Sequence, residues 1–293
     1  GERWNRIVRR SGEMRGHRAL RSGEPGEQPN TFSALAGADP SSLIIIPHHT
    51  GISFGDLPAT GKGAAITIDV CDDRGLRPVV EIYSHHGQSE RWDPQHILAY
   101  EFNRMRNPER RANTSVPGPH YCQDWWKMGR RFGVIGSSDD HSCRGGRRHG
   151  GVAAVWAEEL TREGIFAALR QRRCYATTGE RILVEFSLDG LSMGQAGKRL
   201  SGERAVVKLR VWATQTIIRL EILRFRFGRD TDFQTVASCA PRPETMDAEL
   251  RYEETLEPPC LYYGRVVQEP LEWPGMAWTS PIWVDLEELF DVM

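Results

Sequence analysis

Several absences limit what this chain of 293 residues can do. No stretch approaches the roughly 18 consecutive apolar residues that a membrane-spanning helix needs, so no membrane span is expected. The net charge of -1 argues against nucleic acid as the main partner. The six cysteines form no C-x-x-C pair, which argues against a zinc knuckle and against a thioredoxin-like motif.

The N-terminus lacks two common features, and two stretches that resemble catalytic or nucleotide-binding motifs are incomplete. The first residues contain neither an apolar stretch like a signal peptide nor an initiator methionine. We therefore expect a soluble, truncated or processed form, with the cytoplasm as the favoured compartment. Gly61-Lys62-Gly63 is not followed by Ser or Thr, so it is not a phosphate-binding P-loop. Ser53 and Ser137 lack the G-x-S-x-G elbow, which argues against a serine hydrolase.

Histidine is present, but none of the nine histidines follows residue 149. Three histidine groups follow short apolar runs within a few residues, and such runs are typical of strands in a parallel sheet covered on both faces. These groups are Pro47-His48-His49 after residues 43–46, His85-His86 after residues 78–83, and Asp139-Asp140-His141 after residues 132–135. Strand ends are where open α/β sheets and (β/α) barrels carry their sites. Imidazole and carboxylate together suit zinc, manganese or iron.

Of the three groups, Asp139-x-His141 is the most specific signal for metal binding. Residues two apart in a strand project from the same face, so these two side chains can converge on one ion while Asp140 points away. In the first group we expect His48 to be a ligand. His49 fits better as a capping residue or a residue that supports the site from behind the ligands.

The second group leaves two questions open. The chain leaves the strand near Ser84, so periodicity does not choose between His85 and His86 as the ligand. Glu81 is either a ligand itself or the carboxylate that orients a ligating histidine, which is a frequent arrangement.

Arginines follow the Asp-His motif at once, in Arg144-Gly145-Gly146-Arg147-Arg148. Guanidinium groups beside a metal suit the bidentate capture of a phosphate, so Arg144 and Arg147 are candidate substrate-binding residues. The alternative is an ordinary surface loop.

The pattern along the chain indicates two domains that meet near residue 180. Residues 1–180 alternate apolar runs with helix signals, which are Asp93-Pro94 before residues 95–106, residues 124–128, and an N-cap at Thr161. Residues 181–293 contain strands of period two separated by turn signals, as in an antiparallel β-sandwich.

Taken together, the motifs resemble the PHP (polymerase and histidinol phosphatase) superfamily of metal-dependent phosphoesterases. They are more closely similar to a large bacterial family of unknown function with a PHP-like core and a C-terminal β-domain. The stretches that carry the resemblance are IPHHTG (residues 46–51), VEIYSHHGQSE (80–90), GSSDDH (136–141), LTRE (160–163), ALRQRRCYATTG (168–179) and AWTSPIWV (277–284).

The resemblance implies a fold and a ligand set. The fold would be α/β, a partial, distorted (β/α)7 barrel holding up to three metal ions, followed by the antiparallel β-sandwich. The implied metal ligands are His48, His86, Asp139 and His141, with Glu81 matching a position behind the ligands. The superfamily opens with a His-x-His strand, and this chain contains no His-x-His, so the first strands of the barrel are expected to be missing.

The function that the resemblance implies is hydrolysis of a phosphoester by metal-activated water. Asp139 and His141 would hold one ion and be essential for catalysis, and the substrate would be a phosphorylated small molecule or another phosphoester. Two alternatives stay open. One is a non-catalytic module that binds a carbohydrate or a protein, and the other is an amidohydrolase-like metalloenzyme.

Overall fold

The computed structural model describes residues 5–9, 41–48, 50–54, 75–100, 113–115, 117–140, 142, 145–146 and 150–286. The elements of the first half are short. They are β1 (Asn5–Arg9), β2 (Leu43–Pro47), β3 (Ile52–Phe54), β4 (Val79–Ser84), β5 (Gly87–Gln88), β6 (Asn113–Ser115), α1 (Cys122–Lys127) and β7 (Gly133–Gly136).

The second half is almost entirely strand. Its elements are β8 (Val152–Val155), α2 (Arg162–Arg170), β9 (Cys174–Thr177), β10 (Leu183–Leu188), β11 (Leu191–Ser192), β12 (Ala196–Arg199), β13 (Arg204–Trp212), β14 (Ile217–Arg226), β15 (Gln234–Cys239), β16 (Asp247–Thr255), β17 (Cys260–Gln268), β18 (Gly275–Thr279) and β19 (Ile282–Leu286). Neither described helix is long and apolar enough to cross a membrane.

The strands β1 to β7 form small sheets that carry the site. β4 and β7 pair in parallel, with Val79 opposite Gly133, and β5 turns back antiparallel on β4. β2 pairs with β1, and its Ile44 packs with Val79 of β4 and Ile135 of β7 in one apolar cluster. The C-terminal ends of β2, β4 and β7 are therefore held close together.

Two sheets of the second half pack face to face. The smaller one has the order β11-β10-β13-β16 and is antiparallel throughout. The larger one has eight strands, in which β14 and β17 share the longest ladder. Alternate residues of β10 and β13 are buried, so Phe186 and Leu209 pack with Leu220 and Val266 of the large sheet. Period-two alternation in the sequence produces this one-sided burial.

The other face of the large sheet is buried too. Trp278 and Tyr263 of that face pack with Trp126 of α1, Phe132 and Tyr83 in a second apolar cluster. Full burial of an aromatic side chain stabilises the folded state by about 1.5–3 kcal/mol relative to exposure. The large sheet is thus the middle of three layers, between the small sheet and the elements of the first half.

The predicted partial (β/α)7 barrel is wrong. The described strands form separate, mostly antiparallel sheets with only two helices among them, and no sheet closes. A parallel barrel needs a crossover, usually a helix, between consecutive strands. In the described part of the chain, α1 lies between the parallel strands β4 and β7, whereas α2 connects β8 and β9, which pair antiparallel.

Several single elements do lie where the sequence indicates them. The three apolar runs are β2, β4 and β7, and Thr161 caps α2 by accepting a hydrogen bond from the Gly164 backbone N–H at 3.0 Å. Of the predicted helix 95–106, residues 95–99 form turns and bends, Tyr100 is helical, and 101–112 lie outside the described residues. Across the predicted boundary near residue 180, β9 pairs with β18 in the large sheet.

Candidate metal centre

Three strand ends bring the candidate ligands together. His48 follows β2, His86 lies in the turn after β4, and Asp139 lies three residues beyond β7. All three residues are buried, each with an exposed fraction below 10%. Polar groups buried this deeply need partners, so their mutual contacts decide what the site can do.

Asp139 is the centre of the group. Its Oδ1 lies 3.3 Å from His48 Nε2, and its Oδ2 lies 2.9 Å from His86 Nε2. Its backbone φ is 47°, in the left-handed region that few non-glycine residues adopt and that Asp and Asn tolerate best. Such a conformation is held only where the surrounding structure determines it, and it is frequent at functional sites.

Glu81 fixes the orientation of His48. The His48 Nδ1 lies 2.6 Å from Glu81 Oε1, and because an ionised carboxylate only accepts, Nδ1 carries the hydrogen and Nε2 faces Asp139. The Ser137 hydroxyl donates to the other oxygen of Glu81. This is the arrangement in which a carboxylate orients a metal-binding imidazole.

The charges around His48 raise its pKa. Burial acts to lower the pKa, but Glu81 and Asp139 outweigh burial and raise it from 6.5 to about 9. The imidazole therefore balances negative charge when no cation is bound. A cation at the same place would take over that balance and displace the proton.

Both members of the His85-His86 pair lie at the site. Their ring centroids are 3.9 Å apart, and His85, His86 and Asp139 each offer a ligand atom within 4.8 Å of the others. His85 Nδ1 donates to the Ser138 carbonyl at 2.7 Å, which leaves Nε2 as the ligand atom of that ring. The sequence alone gave no reason to include both rings, since strand periodicity breaks down in the turn.

The donor spacing fits a divalent cation. Two donors bonded to one ion at about 2.0–2.2 Å lie about 2.8–3.6 Å apart in octahedral or tetrahedral geometry. The 2.9 Å between Asp139 Oδ2 and His86 Nε2 falls within this span, and so does the 3.3 Å between His48 Nε2 and the other carboxylate oxygen, Oδ1. The described group whose ligand atoms all lie within 4.8 Å of one another is His85, His86 and Asp139. Imidazole nitrogen with one carboxylate is a donor set suited to zinc, manganese or iron.

The remaining candidates have different outcomes. Asp140 turns away, since its Oδ1 accepts from the Ser142 backbone N–H at 2.7 Å and from the Ser142 hydroxyl. Four residues predicted from the sequence lie outside the described residues, namely His49, His141, Arg144 and Arg147. The sequence analysis missed the role of Ser137, because nothing in the sequence indicates that a serine after a strand donates a hydrogen bond to a buried glutamate.

Comparisons with known proteins give relatives without an assigned activity. A family model described as a protein of unknown function, DUF3604, matches residues 144–196, which begin after Asp139. An uncharacterized protein of Chlamydia trachomatis is 29% identical over 236 residues, covering 71% of this chain and 34% of the relative. An uncharacterized protein of Chlamydia muridarum is 29% identical over 243 residues, with the same coverage. The chain thus spans about a third of the length of these curated relatives.

Proposed function

We propose that this chain binds a divalent cation through Asp139, His85 and His86, beside which His48 lies as a further ligand, and that the protein hydrolyses a phosphoester at that ion. One observation carries the proposal. The Asp139 carboxylate lies between two imidazole Nε2 atoms, at 3.3 and 2.9 Å, and the first of these imidazoles is oriented by Glu81. The proposal rests on this side-chain geometry and not on a barrel fold.

The residues of the chain have distinct parts in this proposal. Glu81, held by Ser137, keeps the His48 Nε2 lone pair directed at the ion. Asp139 supplies the negative charge that a divalent cation needs in a buried place. Of the residues predicted from the sequence, His141 adds a ligand and Arg144 and Arg147 bind the phosphate.

A bound zinc, manganese or iron ion supplies a water of lowered pKa and neutralises charge on the phosphoryl oxygens. Burial of the ligands strengthens both effects because charges interact more strongly where water is excluded. We therefore propose a phosphorylated small molecule or another phosphoester as the substrate class. Its negatively charged phosphate oxygens would bind to the positively charged ion and arginines.

The test is a pair of substitutions in neighbouring acids. Asp139→Asn keeps the side-chain shape and tolerates the left-handed backbone, so it removes the charge alone. We expect it to weaken Mn²⁺ binding, measured by isothermal titration calorimetry, at least about a hundredfold. Asp140→Asn is the matched control, because Asp140 is bonded to Ser142, and it should bind Mn²⁺ as the parent does.

Hydrolysis of p-nitrophenyl phosphate, measured with added Mn²⁺, tests the second half of the proposal. We expect turnover in the parent and in Asp140→Asn, and none in Asp139→Asn. A parent chain that binds no ion, or equal binding by the two variants, would contradict the metal site. Ion binding without turnover in the parent would instead favour the non-catalytic binding module.

A further inference from the structure

A buried ion pair joins the segment after the His85-His86 turn to the large sheet. The Arg265 Nη1 donates to both oxygens of Glu90, at 3.0 and 3.1 Å. Glu90 is 1% exposed and Arg265 is 7% exposed, so both charges are withdrawn from water. Desolvation makes such a pair a weak source of stability, yet removing one partner is costly because it leaves a buried charge unpaired.

All the side-chain donors described for the Glu90 carboxylate come from the large sheet. Trp278 Nε1 donates at 2.8 Å, and the Tyr263 hydroxyl donates to the other oxygen. Burial acts to raise the pKa of Glu90, but Arg265, Tyr263 and Trp278 outweigh it and lower that pKa, so the carboxylate stays ionised. Arg265 in turn donates through Nε to Glu221 at 2.7 Å.

The segment that Glu90 belongs to carries the candidate ligands. Glu90 follows His86 by four residues, and between them β5 is a strand of only two residues. A hairpin this short has little stability of its own. Besides its pairing with β4, the segment is fixed by backbone hydrogen bonds from Ser89 N–H to Ile82 O at 2.6 Å, from Gln88 N–H to Leu98 O and from Cys122 N–H to Ser89 O, both at 2.9 Å, and from Gln123 N–H to Glu90 O at 3.0 Å. The Ser89 hydroxyl also accepts from the Gly51 N–H at 3.0 Å.

We propose that Glu90 and Arg265 are positioning residues that hold the His85-His86 hairpin on the large sheet and thereby set the affinity for the cation. This inference rests on the proposed metal site. In this arrangement the β-rich second half influences cation binding, although it supplies none of the described ligands. The ion pair acts on the site through the main chain of residues 84–90.

Two neighbouring tyrosines allow a matched test. Tyr263→Phe removes one hydroxyl, which donates to Glu90 and accepts from Gln123 Nε2 at 2.8 Å, on the face toward the hairpin. Tyr262→Phe removes one hydroxyl bonded to a different glutamate, Glu254, on the opposite face of the same strand. Both variants keep the ring and lose a hydroxyl that donates to a carboxylate and accepts one further contact, from Gln123 in the first case and from the Cys260 thiol in the second. Small drops in Tm are therefore expected from both.

Mn²⁺ titration and amide hydrogen exchange of residues 84–91 are then measured on both folded variants and the parent. We expect Tyr263→Phe to weaken Mn²⁺ binding about three- to tenfold, which is less than the loss of a direct partner of a ligand causes. It should also speed exchange of residues 84–91, while Tyr262→Phe changes neither quantity.

The outcomes separate the two proposals. Equal effects of both variants on binding and exchange, or unchanged exchange of residues 84–91 in Tyr263→Phe, would overturn the positioning role. If the parent binds no Mn²⁺, the metal site fails and so does any effect on affinity. The exchange rates then still decide whether Glu90 holds the hairpin, since they are measured without the ion.

Discussion

Burial sets the reactivity of the cysteine side chains in the described part of the chain. Cys174 and Cys260 are almost fully buried, and burial is the main reason why the pKa of each rises from 9.0 to about 12. Cys239 is less buried, although its pKa is also raised by burial. Because the thiolate is the reactive form, Cys174 and Cys260 are protected from alkylation both by their low accessibility and by their low fraction of thiolate.

Alkylation with iodoacetamide at pH 8 should therefore distinguish these cysteines. A pKa of about 12 leaves a thiolate fraction of about 10⁻⁴ at that pH, so Cys174 and Cys260 should react at least about tenfold more slowly than Cys239. Peptide mapping by mass spectrometry gives the rate at each cysteine. In urea all three rates should converge, and rapid labelling of Cys174 in the folded protein would contradict the described core.

At the same scale, the sequence predicted much of the candidate site. His48, His86 and Asp139 follow apolar runs, and the structure brings their side chains together. Two features could not be read from the sequence. The inclusion of His85 depends on the conformation of a turn, and the support of Glu81 by Ser137 depends on the register between β4 and β7.

At the scale of single elements, α2 shows how a few local signals define a helix. Thr161 accepts from the Gly164 N–H, Glu163 lies in the first turn and Arg170 in the last, in favourable positions for the helix dipole. Phe166 and Leu169 are buried on one face. These are short-range features, so the sequence was sufficient to locate this helix.

Replacing Thr161 by Ala should therefore destabilise the protein by about 1 kcal/mol, since a backbone N–H of the first turn loses its acceptor. Thr161→Ser keeps an acceptor oxygen at the same position and should retain most of the stability. Urea unfolding followed by circular dichroism measures both. If Ala and Ser variants have equal midpoints, the cap contributes nothing.

The pairing of strands was much harder to predict than their existence. The apolar runs 43–46, 78–83 and 132–135 are strands, but a short apolar run carries no information about its partner or its direction. β2 pairs antiparallel with β1, and β8 and β9 join β18 in the large sheet. The expected barrel is wrong because, although β4 and β7 are parallel, β2 pairs antiparallel with β1 and β8 pairs antiparallel with β9.

At the scale of the whole molecule, the three layers depend on one another. β9, which precedes residue 180, pairs with β18, and Tyr83 of β4 packs with Trp278 of β18 with ring centroids 5.9 Å apart. Trp273 Nε1 also donates to the Tyr83 hydroxyl at 2.9 Å. These contacts join the part of the chain with the candidate ligands to the part without them.

Chains cut at the predicted boundary should therefore not fold separately. Residues 1–180 would expose one apolar cluster, and 181–293 would lose an internal strand of the large sheet. We expect both pieces to lack a cooperative thermal transition by circular dichroism, and the 293-residue chain to show one. Cooperative unfolding of the isolated piece 1–180 would contradict this dependence.

The central strands β17 and β18 of the large sheet are buried on both faces, and this affects how the protein can tolerate mutation. A change in side-chain volume at Tyr263 or Trp278 disturbs the packing of residues that lie far away in the sequence, such as Trp126. A compensating substitution must therefore be made at a distant position. The outer face of the small sheet is under no such restriction, since Glu185, Lys208 and Arg251 point into solvent. A saturation mutagenesis map of the chain should accordingly show its most permissive positions there and its least permissive ones along β17 and β18.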